Sequence, residues 1–387
     1  MGASPTFGED VDFLRRHTPT VVLSDPRGAA RVAICPALQG RVAVSTAGGD
    51  SGSSFGWLNR ALIASGQLVP HMNVFGGADR FWLGPEGGQF SLFFAPGAPQ
   101  DLAHWQTPAP IDAEPFALAV EAQDHAVLRK TMRLINASGT VFDLEVEREV
   151  RLHPIARIWQ EVGAAANGRV AVVGFETRNR VTNRGPAAWR RESGLISIWI
   201  AGTFAPSPST ILVLPYRLPS ESDLGPVVND RYFGRVPAHR LLTREGAVYF
   251  RGDGQHRAKI GIPPRYARAA LGSYDADAGL LTIVSYPQPA GARDYVSSLW
   301  EQQSDPYGGD AVNAYNDGPA TPGAAPFGPF YELETSSPAL ALGPGESAEH
   351  VQRTLHFAAA PEDLDLVARG ALGVGVVEIT SAFAGVA

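Results

Sequence analysis

The chain has 387 residues, of which 44% are hydrophobic and 18% charged, so we expect a sizeable core and exclude a disordered chain. The formal net charge of −7 argues against a general nucleic-acid binder, and the single cysteine excludes an internal disulfide. No apolar run approaches the roughly 20 residues of a membrane-spanning helix, and residues 1–25 carry no signal-peptide pattern. We therefore expect a cytoplasmic protein with no membrane partner, although a secreted form with its leader removed would look the same.

The N-terminal part begins with a predicted helix over residues 9–17, followed by short predicted strands at 21–23, 30–34 and 41–45. Residues 48–56 form a Gly/Ser-rich loop. Such a loop is either a flexible connection or a backbone that a ligand approaches closely. Residues 57–68 are predicted to be helical.

The next segment, residues 71–89, is dense in glycine, aromatic and hydrogen-bonding side chains. Its candidate binding residues are His71, Asn73, Arg80, Trp82, Glu86 and Gln89. Neither a P-loop nor a GxGxxG pattern is present, so a phosphate loop is not indicated. Rings that stack on sugar CH groups, beside side chains that bind hydroxyls, are typical of a carbohydrate site. A structural corner packed by Phe81 and Trp82 would have the same composition, and both interpretations stay open.

The clearest strand pattern lies in residues 116–152, where apolar and charged residues alternate with period two. Arg148 interrupts the apolar face, either because it points into a cavity or, as is more common, because it pairs with a carboxylate at the core edge. Further strands are predicted at 90–94, 158–162, 169–181, 195–200, 210–216, 248–251, 259–262, 269–274 and 280–286. Residues 300–319 are predicted to be a polar, aromatic loop, and 361–369 a capped helix.

Many strands without helical crossovers exclude parallel βαβ units. The 42 glycines and 31 prolines favour many turns. We therefore predict an all-β protein, an antiparallel two-layer sandwich with a few short helices. No linker divides the chain, so we expect one domain over residues 1–387, with the short N-terminal helix, the C-terminal helix and the tail appended.

Metal and serine-nucleophile chemistry find little support in the sequence. The histidines are scattered, and no HExxH motif or cysteine pair occurs. His350 and His356 fall on the same strand face but about 20 Å apart, too far to share a metal. A GxSxG elbow is absent. No metal and no other cofactor is expected.

Paired carboxylates are the remaining chemistry. Glu332 and Glu334 alternate with apolar neighbours, so both side chains face the same side of a strand, about 6.6 Å apart. In a cavity, repulsion and desolvation would raise the pKa of at least one of them, which makes a usable general base. On an exposed face, or beside one of the many arginines, the same two residues would be ordinary surface acids.

Two stretches of the sequence are similar to the C-terminal signature of the galactose mutarotase (aldose 1-epimerase) superfamily. They are Leu333-Glu334-Thr335 and the turn Leu342-Gly343-Pro344-Gly345-Glu346. Residues 73–94 and Tyr315-Asn316-Asp317-Gly318-Pro319 resemble a bacterial branch of that superfamily. The resemblance implies a β-supersandwich with a sugar cleft on a concave face.

The same resemblance implies a reaction in which a glutamate takes the proton from the anomeric hydroxyl while a histidine protonates the ring oxygen. Glu334 matches the base, with Glu332 in reserve. The family's His-Gly-Gly stands here as Phe75-Gly76-Gly77, and its Thr-Asn-His as Thr182-Asn183-Arg184, so both histidines are replaced. His71 or Arg80 would then supply the electrophilic partner.

We therefore expect a carbohydrate-active protein, epimerase-like, that acts at or near an anomeric centre. The expected catalytic residues are Glu334, Glu332 and His71, and the expected sugar contacts are Asn73, Arg80, Trp82, Glu86, Gln89, Trp300, Asn316 and Asp317. The alternatives are a non-catalytic sugar-binding module on the same fold and, less favoured, a glycoside lyase or hydrolase. The expected partner is a sugar or sugar derivative, and the expected assembly a monomer or homodimer.

Overall fold

The computed structural model of the protein describes residues 5–219, 225–321 and 323–386. In this part of the chain the strands are β1 Val21–Ser24, β2 Arg31–Cys35, β3 Arg41–Thr46, β4 Arg80–Gly84, β5 Ala117–Glu121, β6 His125–Ile135, β7 Val141–Leu152, β8 Ala171–Asn183, β9 Ser197–Phe204, β10 Ile211–Pro215, β11 Leu241–Arg244, β12 Ala247–Arg251, β13 Ala258–Ile262, β14 Ala270–Asp275, β15 Leu280–Ser285, β16 Val312–Asn316, β17 Tyr331–Ser336 and β18 Ser347–Ala358. The α-helices are α1 Phe7–His17, α2 Arg60–Ser65, α3 Ala109–Asp112, α4 Ile155–Val162, α5 Pro361–Leu372 and α6 Val376–Thr380. The predicted all-β class is confirmed.

The strands form three antiparallel sheets. The largest has ten strands in the order β11-β12-β10-β14-β15-β18-β8-β7-β6-β5, and a five-stranded sheet runs β13-β16-β17-β9-β4. A third sheet, β1-β2-β3, has three strands. The period-two pattern of the sequence is visible in β7, whose residues alternate between buried and half-buried along most of its length. This alternation is what a strand with one covered and one wet face requires.

The main core lies between the ten-stranded and five-stranded sheets. One face of the five-stranded sheet contributes fully buried apolar side chains such as Phe81, Ile200 and Leu333, which belong to the same cluster as Val146 and Phe175 of the large sheet. The opposite face of the five-stranded sheet is therefore left for polar side chains. A second core cluster covers the outer face of the large sheet beneath α4 and α5.

Arg148, the residue that breaks the apolar face of β7, is fully buried and lies where the three sheets meet. Its guanidinium forms an ion pair with Asp79, just before β4, and its Nε donates to the carbonyl of Gly40, just before β3, at 3.0 Å. Asn179 on β8 accepts a further hydrogen bond at 2.6 Å. Of the two sequence-based interpretations, pairing with a carboxylate is the one observed, although deep in the core rather than at its edge.

The core face of strand β17 is hydrogen-bonded to the large sheet. Thr335 donates to Gln352 at 2.8 Å and lies 2.7 Å from Nε2 of His350, both on β18. Burial lowers the pKa of His350 to about 3, so this histidine stays neutral and serves as a structural hydrogen-bond partner. The strand that carries Glu332 and Glu334 on one face is thus held in place by hydrogen bonds from the opposite face to β18.

Three predictions of local structure were wrong. Residues 158–162 lie in helix α4, because Pro154 precedes a run whose apolar residues Ile158, Trp159 and Val162 share one helical face, and Gly163 ends the helix. Residues 91–94 are buried and Phe90 is half-buried, but the segment is irregular, because the Ser91 hydroxyl accepts hydrogen bonds from the backbone of Phe93 and Phe94 and no strand among the described residues pairs with it. The predicted loop 300–319 contains β16, an interior strand of the five-stranded sheet between β13 and β17.

The predicted helices agree more closely with the structure. Helix α1 begins with a capping box between Thr6 and Glu9, and α5 covers the predicted 361–369. Only Arg60–Ser65 of the predicted 57–68 is helical. None of the helices in the described ranges is long and apolar enough to cross a bilayer.

Candidate functional site

The polar face of the five-stranded sheet is the floor of the candidate site. Across the sheet, Lys259 pairs with Tyr315, Tyr315 with Glu332, and Glu332 with Thr203. In the next row Asn313 pairs with Glu334, and Glu334 and Arg80 both pair with Ala201. Residues paired directly across neighbouring strands point to the same face, so these rows place the charged side chains side by side.

A cavity opens above this floor, with about 560 Å³ of space unfilled by protein atoms when its open mouth is counted. Its charged lining comes from Arg41, Arg80, Glu86, Arg257, Lys259 and Glu332. Its aromatic lining comes from Phe75, Trp82, Trp105, Trp199, Phe233, Tyr315, Phe327 and Phe330. Most of the charged groups stand on strands, whereas much of the wall, including Met72, Trp105, Phe233 and Phe327, stands on loops.

Glu332 forms the first of two ion pairs in the floor. Its Oε1 accepts hydrogen bonds from Arg80 at 2.9 Å and from Thr203 at 3.1 Å. The Arg80 guanidinium also stacks on the ring of Trp82, 3.7 Å from its centroid. Burial raises the pKa of Glu332 despite Arg80, and the neighbouring Glu334 adds to the rise.

Glu334 forms the second pair and is fully buried. Its Oε2 accepts hydrogen bonds from Lys259 at 2.8 Å and from the indole of Trp199 at 2.8 Å. Its Oε1 is buried and has no hydrogen-bond partner among the described residues. Burial alone would lower the pKa of Lys259, but Glu334 and Glu86 together outweigh it, and the pKa lies above its usual value. Lys259 is therefore a permanent cation in the floor.

Glu86 follows the end of β4 and lines the same cavity. Its Oε2 lies 4.0 Å from Lys259 Nζ, and its carboxylate accepts no hydrogen bond from any described side chain. Burial raises the pKa of Glu86, an effect that Lys259 opposes and Glu334 reinforces. The backbone here is fixed, because Glu86 N donates to Ser298 and a side chain at Gly87 would come within 2.3 Å of the Leu299 carbonyl.

A smaller polar cavity continues along the same sheet face beyond Trp199 and Lys259, which line both spaces. At its edge Asp310 accepts hydrogen bonds from Tyr232 at 2.6 Å and Asn229 at 3.0 Å. Burial raises the pKa of Asp310 to about 6. Within the described ranges, no group of three histidine, cysteine, aspartate or glutamate residues is placed to hold a metal ion.

Comparison with known proteins places the chain in a family. The model of a family of unknown function, DUF6786, matches residues 5–383. The chain belongs to that family. No curated protein matches the sequence.

Among solved structures, this DUF6786 member is similar to an Escherichia coli K12 protein titled as a candidate aldose 1-epimerase. The TM-score is 0.50 at 17% identity, over 88% of this chain and 99% of the other. A galactose mutarotase-like protein from Lactobacillus casei gives a TM-score of 0.47 at 10% identity, over 87% and 100% of the two chains. At these identities the likeness concerns the fold, and the galactose mutarotase-like fold expected from the sequence is confirmed.

The expected site residues of the family member fall into three groups. Arg80, Trp82, Glu86, Asn73 and Glu332 line the cavity, whereas Glu334 is fully buried next to it, bonded to the lining residues Lys259 and Trp199. Asn73 is bound to Asp112, whose carboxylate accepts from its amide at 2.6 Å. The segment 71–89 thus contributes both to the cavity and to a packed corner, so neither of its two interpretations excludes the other.

His71 lies apart from this cavity. It is exposed in an adjacent groove, with its Nδ1 2.6 Å from the carbonyl of Trp105. Arg184 stands where the resemblance to galactose mutarotases implies a second histidine. It pairs with Glu145 near the surface at 2.9 Å.

Four expected sugar contacts do not line the cavity in the described structure. Gln89 binds the backbone of Gln303, and Trp300 packs against Trp105 at 5.8 Å between ring centroids. Asn316 binds the backbone of Gly254 and His256 from the other face of β16, and Asp317 accepts from Tyr315 at 2.6 Å. These contacts describe structural roles.

Five residues of the site were not expected from the sequence: Lys259, Trp199, Thr203, Tyr315 and Arg257. Lys259 carried a signal, since it is one of only two lysines in an arginine-rich chain and stands in a predicted strand. Thr203 and Trp199 gave none, because only strand pairing brings them beside Glu332 and Glu334.

Proposed function

We propose that the protein binds a sugar in the cavity of the five-stranded sheet and acts at its anomeric centre, with Glu334 as the general base. The observation that carries this proposal is the buried Oε1 of Glu334, an acceptor without a partner among the described residues, on a side chain bonded to Lys259 and Trp199, which line a cavity with aromatic walls. A buried carboxylate oxygen is costly to leave unbonded, so a ligand hydroxyl is its natural partner.

The cavity has the composition that a pyranose requires. Indole and phenyl rings offer flat apolar surfaces to the CH groups, and the Arg80–Glu332 pair offers a donor and an acceptor to neighbouring hydroxyls. The fold is that of a candidate aldose 1-epimerase of Escherichia coli K12, which supports an anomeric reaction only by analogy of fold.

In this reaction Glu334 takes the proton of the anomeric hydroxyl as the ring opens and returns it after rotation of the carbonyl carbon. Lys259 and Trp199 hold the carboxylate in one orientation through Oε2 and leave Oε1 for the substrate. Glu332 remains engaged with Arg80 and Thr203 and serves binding.

The test is anomer exchange measured by two-dimensional exchange NMR on D-glucose, D-galactose, D-glucuronate and D-glucose 6-phosphate. We expect Glu334→Gln to lower the exchange rate by about 10²–10⁴-fold. Glu149→Gln, at a surface glutamate paired with Arg151, is the matched control. Full exchange by Glu334→Gln would refute its role as base.

A sugar-binding module without catalysis is the second candidate. It is favoured by Phe75 and Arg184, which replace the two histidines that the resemblance to galactose mutarotases implies. Saturation-transfer NMR that detects binding, together with exchange no faster than in buffer, would select it over the enzyme.

A further inference from the structure

The proposed reaction needs a second group that protonates the ring oxygen, and neither His71 nor Arg184 lines the cavity. We propose that Glu86 is this general acid, an assignment that rests on the proposed function. Glu334 would act as the base, and both carboxylates would share Lys259 as their counter-ion.

The geometry places the two carboxylates around one ammonium group. Lys259 Nζ lies 2.8 Å from Oε2 of Glu334 and 4.0 Å from Oε2 of Glu86, so these two oxygens cannot be more than about 6.8 Å apart. The anomeric hydroxyl and the ring oxygen are bonded to the same sugar carbon. A sugar above Lys259 can therefore present one oxygen to each carboxylate.

The two carboxylates have opposite environments, as an acid and a base require. Glu334 accepts two hydrogen bonds, one from the Lys259 ammonium and one from the Trp199 indole. Glu86 is buried without a hydrogen bond from a described side chain, and burial raises its pKa. The charged groups that face Glu86 are Lys259, Glu334, Arg257 and Arg80.

The proton balance closes within these residues. As the C1–O5 bond breaks, Glu334 takes the hydroxyl proton, the electron pair of that O–H bond forms the carbonyl, and Glu86 gives its proton to O5. The open-chain sugar is then held by a protonated Glu334 and an ionised Glu86. After rotation about C1–C2 the two transfers reverse and the ring closes on either face. The negative charge moves from one side of Lys259 to the other, so the ion pair is conserved.

The variant Glu86→Gln keeps the shape of the side chain and removes the proton. We expect the exchange rate to fall by about 10²–10⁴-fold, while the affinity for the same sugar changes by less than about tenfold. Wild-type turnover should decline as rising pH ionises Glu86, and this alkaline decline should be absent in Glu86→Gln. Glu121→Gln, at an exposed glutamate of β5, is the control.

Folding and ionisation are checked separately. Urea unfolding tests whether Glu86→Gln is folded. Carbon-13 NMR of labelled glutamate carboxyls should show resonances of Glu86 and Glu332 that titrate above the ordinary glutamate range, and one of them should be lost in the variant. The role of Glu86 alone would be overturned by a folded variant that interconverts the sugar anomers at the wild-type rate. It would also be overturned by a variant that loses none of the glutamate titrations above the ordinary range. If wild-type protein accelerates anomer exchange in none of the four sugars, the proposed function and the acid role of Glu86 are overturned together.

Discussion

At the residue scale, Lys259 is the centre of the charge balance in the cavity floor. It is the only described cation within 4.0 Å of either Glu334 or Glu86, and all three side chains are buried. A buried carboxylate without a counter-ion costs several kcal/mol, because it has lost water and gained nothing in exchange. The stability of the floor and the reaction proposed for it therefore depend on the same residue.

The variant Lys259→Met should lower the free energy of unfolding by about 3–5 kcal/mol, the usual cost of removing one partner of a buried pair. Urea denaturation at neutral pH measures the change. The chain offers a control in its other lysine, since Lys130 pairs with a half-exposed Glu114 at 2.6 Å, and Lys130→Met should cost about 1 kcal/mol or less. Equal losses in the two variants would contradict the central role of Lys259.

At the element scale, the turn before β4 sets the position of Arg80. Gly76 has a φ of 82°, and a β-carbon there would lie 2.1 Å from the carbonyl of Trp57. Its own carbonyl accepts a hydrogen bond from Arg41. The turn is thus held on two sides and tolerates no side chain.

We expect Gly76→Ala to destabilise the protein by at least about 2–3 kcal/mol, since a strained backbone conformation is combined with a steric clash. Gly163→Ala is the control, because Gly163 also has a positive φ, 66°, but has open space around its α-carbon. It should cost about 1 kcal/mol. Thermal unfolding of the two variants measures the difference, and a Gly76→Ala variant as stable as Gly163→Ala would contradict the clash.

Elements also show how far the sequence could predict this structure. Period two identified β7 and placed Glu332 and Glu334 on one face, because that information is local to a strand. The neighbours of Glu334 were not predictable, because Lys259, Asn313 and Trp199 reach it through pairings between distant strands. Helix α4 was misassigned because the five residues 158–162 alone are too few to show a period, and the helical spacing becomes visible only when Ile155 is included.

At the scale of the whole molecule, Arg148 joins the three sheets. Its partners Asp79, Gly40 and Asn179 come from the approach to β4, the approach to β3 and strand β8. Burial raises the pKa of Asp79, and the ion pair with Arg148 is the largest of the effects that oppose the rise, ahead of hydrogen bonds from Thr177 and Gln352.

The variant Arg148→Met should therefore cost about 3–5 kcal/mol, because it leaves Asp79 buried and unpaired. Arg129→Met, at a surface pair with Glu147, should cost less than about 1 kcal/mol. Urea unfolding followed by both tryptophan fluorescence and circular dichroism would show whether the three sheets still unfold together. A loss as small as that of Arg129→Met would show that Arg148 is dispensable.

The division between a strand-borne floor and loop-borne walls has a consequence for how this scaffold can diversify. The half-buried Met72, Phe233 and Phe327 can be exchanged without altering any strand pairing, because none of them belongs to a strand. The ionised groups beneath them are locked by register and change only at the expense of folding. Combinatorial libraries confined to those three wall positions should therefore yield folded proteins with altered preference for the proposed sugar ligand, while the charged groups of the floor stay in place.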